Sequence, residues 1–248
     1  MKHIFRQLTR SFGFDIVRYS PVPLEQARAI NSQQKGADFL KMLVYKQIDL
    51  VLDVGGNKGN FASDLFDIGY KGKIVSFEPL SSAYEQLTER SKNNSQWQVF
   101  ERCAIGETEE DVEINIAANS ESSSLLPMLQ AHIDAAPRST YIESEKVSVY
   151  RLDRVAKDWV EKASHTLLKI DTQGYELPVI KGAAGILDKV DGIHLEMPLV
   201  PLYEGEEIFD NMLHRIQDLG FSLYSISPGF KDYRIGRMLQ VDGTFFRD

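Results

Sequence analysis

Four acidic side chains, each at or near the end of a short apolar run, could do chemistry in this sequence. They are Asp53 after Leu50-Val51-Leu52, Glu78 after Ile74-Val75-Ser76-Phe77, Asp171 after Leu168-Lys169-Ile170, and Glu196 after Ile193-His194-Leu195. A carboxylate in such a place can accept hydroxyl protons in hydrogen bonds, face a cation, or take a proton during a reaction. His194 lies two residues before Glu196, on the same side of an extended chain, and is a further candidate base. Asp53 is followed by Gly55, Gly56, Asn57 and Gly59. Such a turn permits positive φ and lets a ligand lie against bare backbone, with the amides of the next helix pointing at it.

The elements that must position these groups follow from pattern. Residues 49–53 read as a buried strand, the glycine turn leads into an amphipathic segment beginning at Phe61, and residues 73–77 form a second strand: a β-α-β unit. Further strands are expected at 96–101, 111–117, 146–151, 166–171 and 191–197, with helices at 81–93, 152–162, 178–187 and 209–219. Residues 221–226 and 238–246 should close the sheet as an antiparallel hairpin. In an open parallel sheet ligands collect outside the carboxyl ends of the strands, so Asp53, Glu78 and Asp171 should share one crevice with Glu196 at the same edge. Ala104 and Ile105, small and apolar after the third strand, suit the face of an adenine or a plain turn. The polar loop Asn119–Ser124 is a candidate active-site cover, and His132, Arg138 and Tyr141 could line a substrate pocket.

Spacing narrows the ligand. A dinucleotide fingerprint needs Gly-x-Gly-x-x-Gly, and the third glycine of that pattern is missing here. An acid before the glycines is a poor neighbour for pyrophosphate and a good one for an ammonium group. An NAD-dependent oxidoreductase or epimerase accounts for the β-α-β unit but calls for that glycine and a Tyr-x-x-x-Lys pair. A non-catalytic binding protein on the same fold is expected to have lost the strand-end acids, and all are present.

The chain of 248 residues is long enough for one α/β domain with a substantial core. A net charge of −8 and a pI near 5.2 argue against a nucleic-acid partner. Cys103 is the lone cysteine, so no internal disulfide or cysteine metal cluster forms, in keeping with a cytoplasmic location. Residues 1–46 read as an N-terminal helical extension and 47–248 as the main domain. Within the extension, Lys2, Arg6, Arg10 and Arg18 alternate with Ile4, Phe5, Leu8, Phe12 and Phe14. Residues 1–19 therefore form a basic amphipathic segment that packs on the domain or makes peripheral contact with an anionic membrane. Nothing in the sequence fixes an oligomeric state.

Block by block, the chain resembles the FkbM-type methyltransferases, which use S-adenosyl-L-methionine (SAM). The resemblance rests on Asp53-Val54-Gly55-Gly56-Asn57-Lys58-Gly59, Ser76-Phe77-Glu78-Pro79, Ala104-Ile105-Gly106, Ser123-Ser124-Leu125, Val149-Tyr150-Arg151-Leu152-Asp153 and, most specifically, Leu168-Lys169-Ile170-Asp171-Thr172-Gln173-Gly174-Tyr175-Glu176. The closing Leu239–Arg247 block is similar too. Gly56 stands where alanine is frequent and Gln173 where an acid is frequent. The resemblance implies a Rossmann-like α/β fold with a mostly parallel seven-stranded sheet, a C-terminal antiparallel hairpin and helices on both faces. It implies SAM held by Asp53, Gly55, Gly56, Asn57, Phe61, Glu78, Pro79, Ala104, Ile105 and Asp171. It also implies methyl transfer to a hydroxyl of a glycan or a small-molecule natural product, with Asp171 the first candidate base and Glu196 and His194 the next. A divalent metal shared by Asp171 and Glu196 is possible in principle and not favoured.

Overall fold

The computed structural model describes residues 36–248. The basic amphipathic segment at residues 1–19 lies outside the described residues, as does most of the N-terminal extension. Residues 36–45 are helical.

The main sheet takes seven strands in the order β3-β2-β1-β7-β8-β12-β9. They are β1 (Leu50–Val54), β2 (Lys73–Phe77), β3 (Trp97–Val99), β7 (Thr166–Ile170), β8 (Val190–Pro198), β9 (Ser222–Pro228) and β12 (Gln240–Phe246). The first five are parallel, and β12 runs antiparallel between β8 and β9. This is the expected seven-stranded sheet with its antiparallel closure. Strands β1 and β7 are buried along their whole length, as continuous apolar runs covered on both faces should be. Alternate residues feed two cores. Leu50, Leu52, Val54, Leu168 and Ile170 join one; Val51, Leu167, Ile74 and Leu65 join the other. Among the described residues no helix is long and apolar enough to cross a membrane.

Three features differ from the sequence reading. The strands expected at 111–117 and 146–151 are present, but in a sheet the sequence reading did not foresee: β4 (Ala104–Ile105), β5 (Glu110–Ala117) and β6 (Tyr141–Tyr150) form a separate three-stranded sheet. Its apolar side packs Ile114, Val147 and Val149 against Leu80 and Ala83, so it walls one side of the crevice. The single helix expected at 152–162 is two, Leu152–Val155 and Lys157–Lys162, broken at the buried Ala156. A small hairpin of β10 (Lys231–Asp232) and β11 (Arg237–Met238) occupies the charged loop between β9 and β12.

Candidate active site

One cavity of about 420 Å³ opens at the carboxyl ends of β1, β2, β7 and β8. It is lined by Gly55, Gly56, Asn57 and Phe61 after β1, by Glu78 and Pro79 after β2, and by Ala104 and Ile105 of β4. Asp171 and Gln173 after β7, Glu196 of β8 and Gln240 of β12 complete the far side, and Asn119–Leu125 form the facing wall. The polar loop is thus a cavity wall, as its composition suggested.

The turn after β1 needs its glycines for reasons internal to the protein. Gly55 has φ +77°, and a Cβ there would sit 1.9 Å from the Asp171 carbonyl oxygen; at Gly59, φ +83°, it would meet the Trp97 ring at 2.6 Å. The bare backbone lets strand β7 and the β3 tryptophan close in on the turn, which draws Asp171 up to the cavity. Sequence logic assigned that bareness to the ligand alone.

Glu78 is 3 % exposed. Its Oε2 accepts the Asn57 N–H at 2.7 Å and its Oε1 the Leu80 N–H at 2.9 Å, so the carboxylate is fixed and each oxygen keeps a lone pair. Burial pushes its pKa up to about 7, against the pull of those amides.

Asp53 and His194 do not reach the cavity, and strand register explains both corrections. Asp53 pairs in register with Ser76 on one side and Lys169 on the other; Lys169 pairs in turn with His194, and His194 with Thr244. These residues form one polar row across the sheet, a pleat below the edge. Two residues of strand rise separate that row from Asp171 and Glu196, roughly 6–7 Å. Asp53 is fully buried; its Oδ2 accepts the Ser76 hydroxyl at 2.7 Å, and its Oδ1 faces the Lys169 ammonium at 2.9 Å. That second contact is an ion pair off the hydrogen-bond angle, and Oδ1 has no hydrogen-bond partner among the described residues. Asp53 therefore acts on the cavity through Lys169. His194 meets Thr244 Oγ1 at 2.9 Å through Nδ1 and packs beside the Phe39 ring, centroids 4.7 Å apart and tilted by 50°, and is not among the residues that line the cavity.

Lys169 is the residue that sequence reasoning passed over. It is 4 % exposed and lines the cavity, and its Nζ donates to the Gly55 carbonyl at 2.8 Å. Burial works against its charge, but Asp53 and Asp171 outweigh that and hold its pKa above the usual lysine value. The available signal was a lone cation inside the otherwise apolar run Thr166–Ile170.

Asp171 and Glu196 come together as expected. Gln173, held at φ +54°, donates its amide N–H₂ to both, at 2.8 Å to Asp171 Oδ1 and 2.7 Å to Glu196 Oε2; Gln240 adds a bond of 2.8 Å to the same Glu196 oxygen. Tyr203 donates to Gln173 Oε1 at 3.0 Å and so fixes which end of the amide faces the acids. An acid at position 173 would have repelled both carboxylates; the amide bridges them. Burial first and Asp171 second hold Glu196 well above the usual carboxylate range. Among the described residues no group of acids, histidines and cysteines could hold a metal ion.

His132 also lines the cavity, buried and kept neutral, its pKa pushed down to about 4 by burial. Arg138 is exposed, and the Tyr141 hydroxyl is spent on the Leu126 carbonyl at 2.7 Å. Cys103 is a buried thiol pushed up to about 12, as a structural cysteine should be.

A parallel sheet closed by an antiparallel strand, with acids gathered at its carboxyl edge, defines the Rossmann-like class of methyltransferases. Residues 53–223 match the family described as Methyltransferase FkbM domain, well over half of the chain, and the protein belongs to that family. Similar solved structures include Streptococcus pneumoniae Sp1610, a candidate tRNA (m1A22) methyltransferase in complex with SAM. It is 12% identical, with 88% of this chain and 72% of that chain covered and a TM-score of 0.50. Another is magnesium protoporphyrin IX methyltransferase (ChlM) of Synechocystis PCC 6803 with S-adenosylhomocysteine (SAH) bound, 12% identical, 100% of both chains covered, TM-score 0.49. At such identities the likeness concerns the fold. No curated protein matches the sequence. The residues present fit SAM: Glu78 is a fixed buried carboxylate with lone pairs to spare, Ala104 and Ile105 give a small apolar wall, and the lone cation on the lining, Lys169, is bonded to protein rather than offered to a phosphate.

Proposed function

We propose that this enzyme transfers the methyl group of SAM to a hydroxyl oxygen of an uncharged acceptor, a glycan or a small natural product. The observation that carries this is the Asp171–Gln173–Glu196 bridge at the cavity edge. A hydroxyl is a weak nucleophile while protonated, and its proton needs a destination within hydrogen-bond reach. An ionised carboxylate of this bridged pair offers an oxygen to take that proton. SAM supplies an electrophilic methyl group.

Glu78 holds the ribose hydroxyls, and Ala104 and Ile105 cover the adenine. Asp171, at 39 % side-chain exposure, takes the acceptor's proton, with Glu196 beside it as reservoir. Gln173 and Gln240 keep both acids aimed. Placement of the acceptor by these fixed groups supplies much of the rate, as in any displacement limited by alignment. Among the described residues the lining holds one lysine, Lys169, paired with Asp53, and no arginine, which favours a neutral acceptor over a phosphorylated one such as RNA.

The test is transfer of labelled methyl from SAM into a fractionated extract of the native host, with mass analysis of the labelled product. A methyl ether supports the reading, and methyl on nitrogen, sulfur or carbon contradicts it. With that acceptor, Asp171→Asn should lower kcat by about 10²- to 10⁴-fold and leave the SAM Kd within a few-fold. Full activity in Asp171→Asn removes the base assignment.

A further inference from the structure

Lys169 is a cation in the wall of a cavity that takes a cationic cofactor. Its ammonium is held by the protein: it donates to Gly55 O at 2.8 Å and Val54 O at 3.4 Å and pairs with Asp53 Oδ1 at 2.9 Å and Asp171 Oδ2 at 3.8 Å, with the Phe61 ring centroid 5.2 Å away. Asp53 balances its charge but stands behind it, sealed from the cavity. Seen from the cavity, the ammonium is the nearer charge of that pair.

The sheet order says which part of SAM lies there. Glu78 ends β2, and the apolar wall for adenine follows β3 on the outer side of β2. With ribose at Glu78 and adenine beyond it, the sulfonium arm must run the opposite way, over the ends of β1 and β7. Gly55, Lys169 and Asp171 are the groups at those ends.

We propose that Lys169 is an electrostatic positioning residue for methyl transfer: a fixed ammonium that opposes the charge of SAM's sulfonium and has nothing to oppose in SAH. In the transfer the acceptor oxygen's lone pair forms the new O–C bond, the C–S electron pair stays on sulfur, and the hydroxyl proton goes to the carboxylate pair. Sulfur loses its charge as the methyl leaves. A group that disfavours the charged reactant more than the partly discharged transition state lowers the barrier, and costs nothing to reorganise because it is already bonded in place. The inference rests on SAM-dependent transfer and not on the identity of the acceptor.

The test compares ligands rather than rates. SAM and SAH are titrated separately by isothermal calorimetry into wild type, Lys169→Arg, Lys169→Gln, and Asp53→Asn/Lys169→Met, which removes both buried charges together. The ratio Kd(SAH)/Kd(SAM) should rise roughly three- to tenfold in Lys169→Gln and in the paired variant, an expectation from Coulomb repulsion across a few ångströms of protein. It should stay within about twofold of wild type in Lys169→Arg, which keeps the charge. A purely structural role moves both ligands together, so an unchanged or falling ratio in either folded variant overturns the proposal. A wild type that binds neither ligand is a different result and overturns the cofactor itself.

Discussion

Replacing either partner of the buried Asp53–Lys169 pair should cost far more stability than replacing both. The pair is 2.9 Å apart with side chains 0% and 5% exposed, so solvent screens neither charge. Lys169→Met leaves Asp53 charged and sealed with only the Ser76 hydroxyl for company. Breaking such a pair from one side costs about 3–5 kcal/mol. Asp53→Asn should fall at the lower end, because Lys169 keeps the Gly55 carbonyl at 2.8 Å and Asp171 at 3.8 Å. The double variant Asp53→Asn/Lys169→Met loses no charge balance and leaves the Gly55 carbonyl, on a residue that lines the cavity, short of a donor, while the Val54 carbonyl keeps the Asp171 N–H at 3.0 Å. Its cost should be about 1–2 kcal/mol. For a domain of this size each kcal/mol moves Tm by about 2–4 °C, so the singles should melt roughly 6–20 °C low and the double roughly 2–8 °C low. Urea unfolding followed by tryptophan fluorescence reads this directly: Trp97 donates to Ser76 Oγ at 3.0 Å, and Ser76 donates to Asp53. A coupling energy above about 3 kcal/mol is expected from the cycle. A double variant whose loss equals the sum of the singles would refute the pairing argument.

Two further outcomes follow from the site. Glu78 has a pKa raised to about 7 in the fold, so the folded state binds more protons than the unfolded one between about pH 4.5 and 7. The contribution of this group is present below that window and is lost as pH rises through 7. Ribose hydroxyls donate to the ionised form, so the SAM Kd should fall by up to about tenfold between pH 6 and pH 8. Glu78→Gln should bind weakly with no such dependence, and a flat wild-type profile would show that Glu78 does not hold the ribose. Gly55→Ala drives a methyl group to 1.9 Å from the Asp171 carbonyl at φ +77°. It should lower stability by about 2 kcal/mol or more and abolish measurable SAM binding; near-wild-type melting and calorimetry would show that the turn has slack.

The β-α-β unit and the strand-end acids were legible because each is a local pattern. An apolar run of strand length followed by an acid and a glycine turn places Glu78, Asp171 and Glu196 at one edge without knowledge of any partner strand. Depth was not legible. Period-2 alternation says which face a side chain takes, and Asp53, Lys169 and His194 do share one face. Which of them stops a pleat short of the edge depends on register between β1, β7 and β8, and the sequence prints no register. The second sheet was hidden for a similar reason: β5 and β6 alternate like any strand, and their departure from the main sheet is set by packing on Leu80 and Ala83. Residues 127–143 lacked a period because they hold a six-residue helix, Gln130–Ala135, and a single 3₁₀ turn, too short for an amphipathic signal.

The most direct measurement is a crystal structure of the SAH complex. It should show ribose hydroxyls on Glu78, adenine against Ala104 and Ile105, and sulfur over the β1 and β7 ends, beside Lys169 and Asp171. A ligand reversed along the sheet, with adenine over β7 and β8 or with Glu78 untouched, would contradict the account.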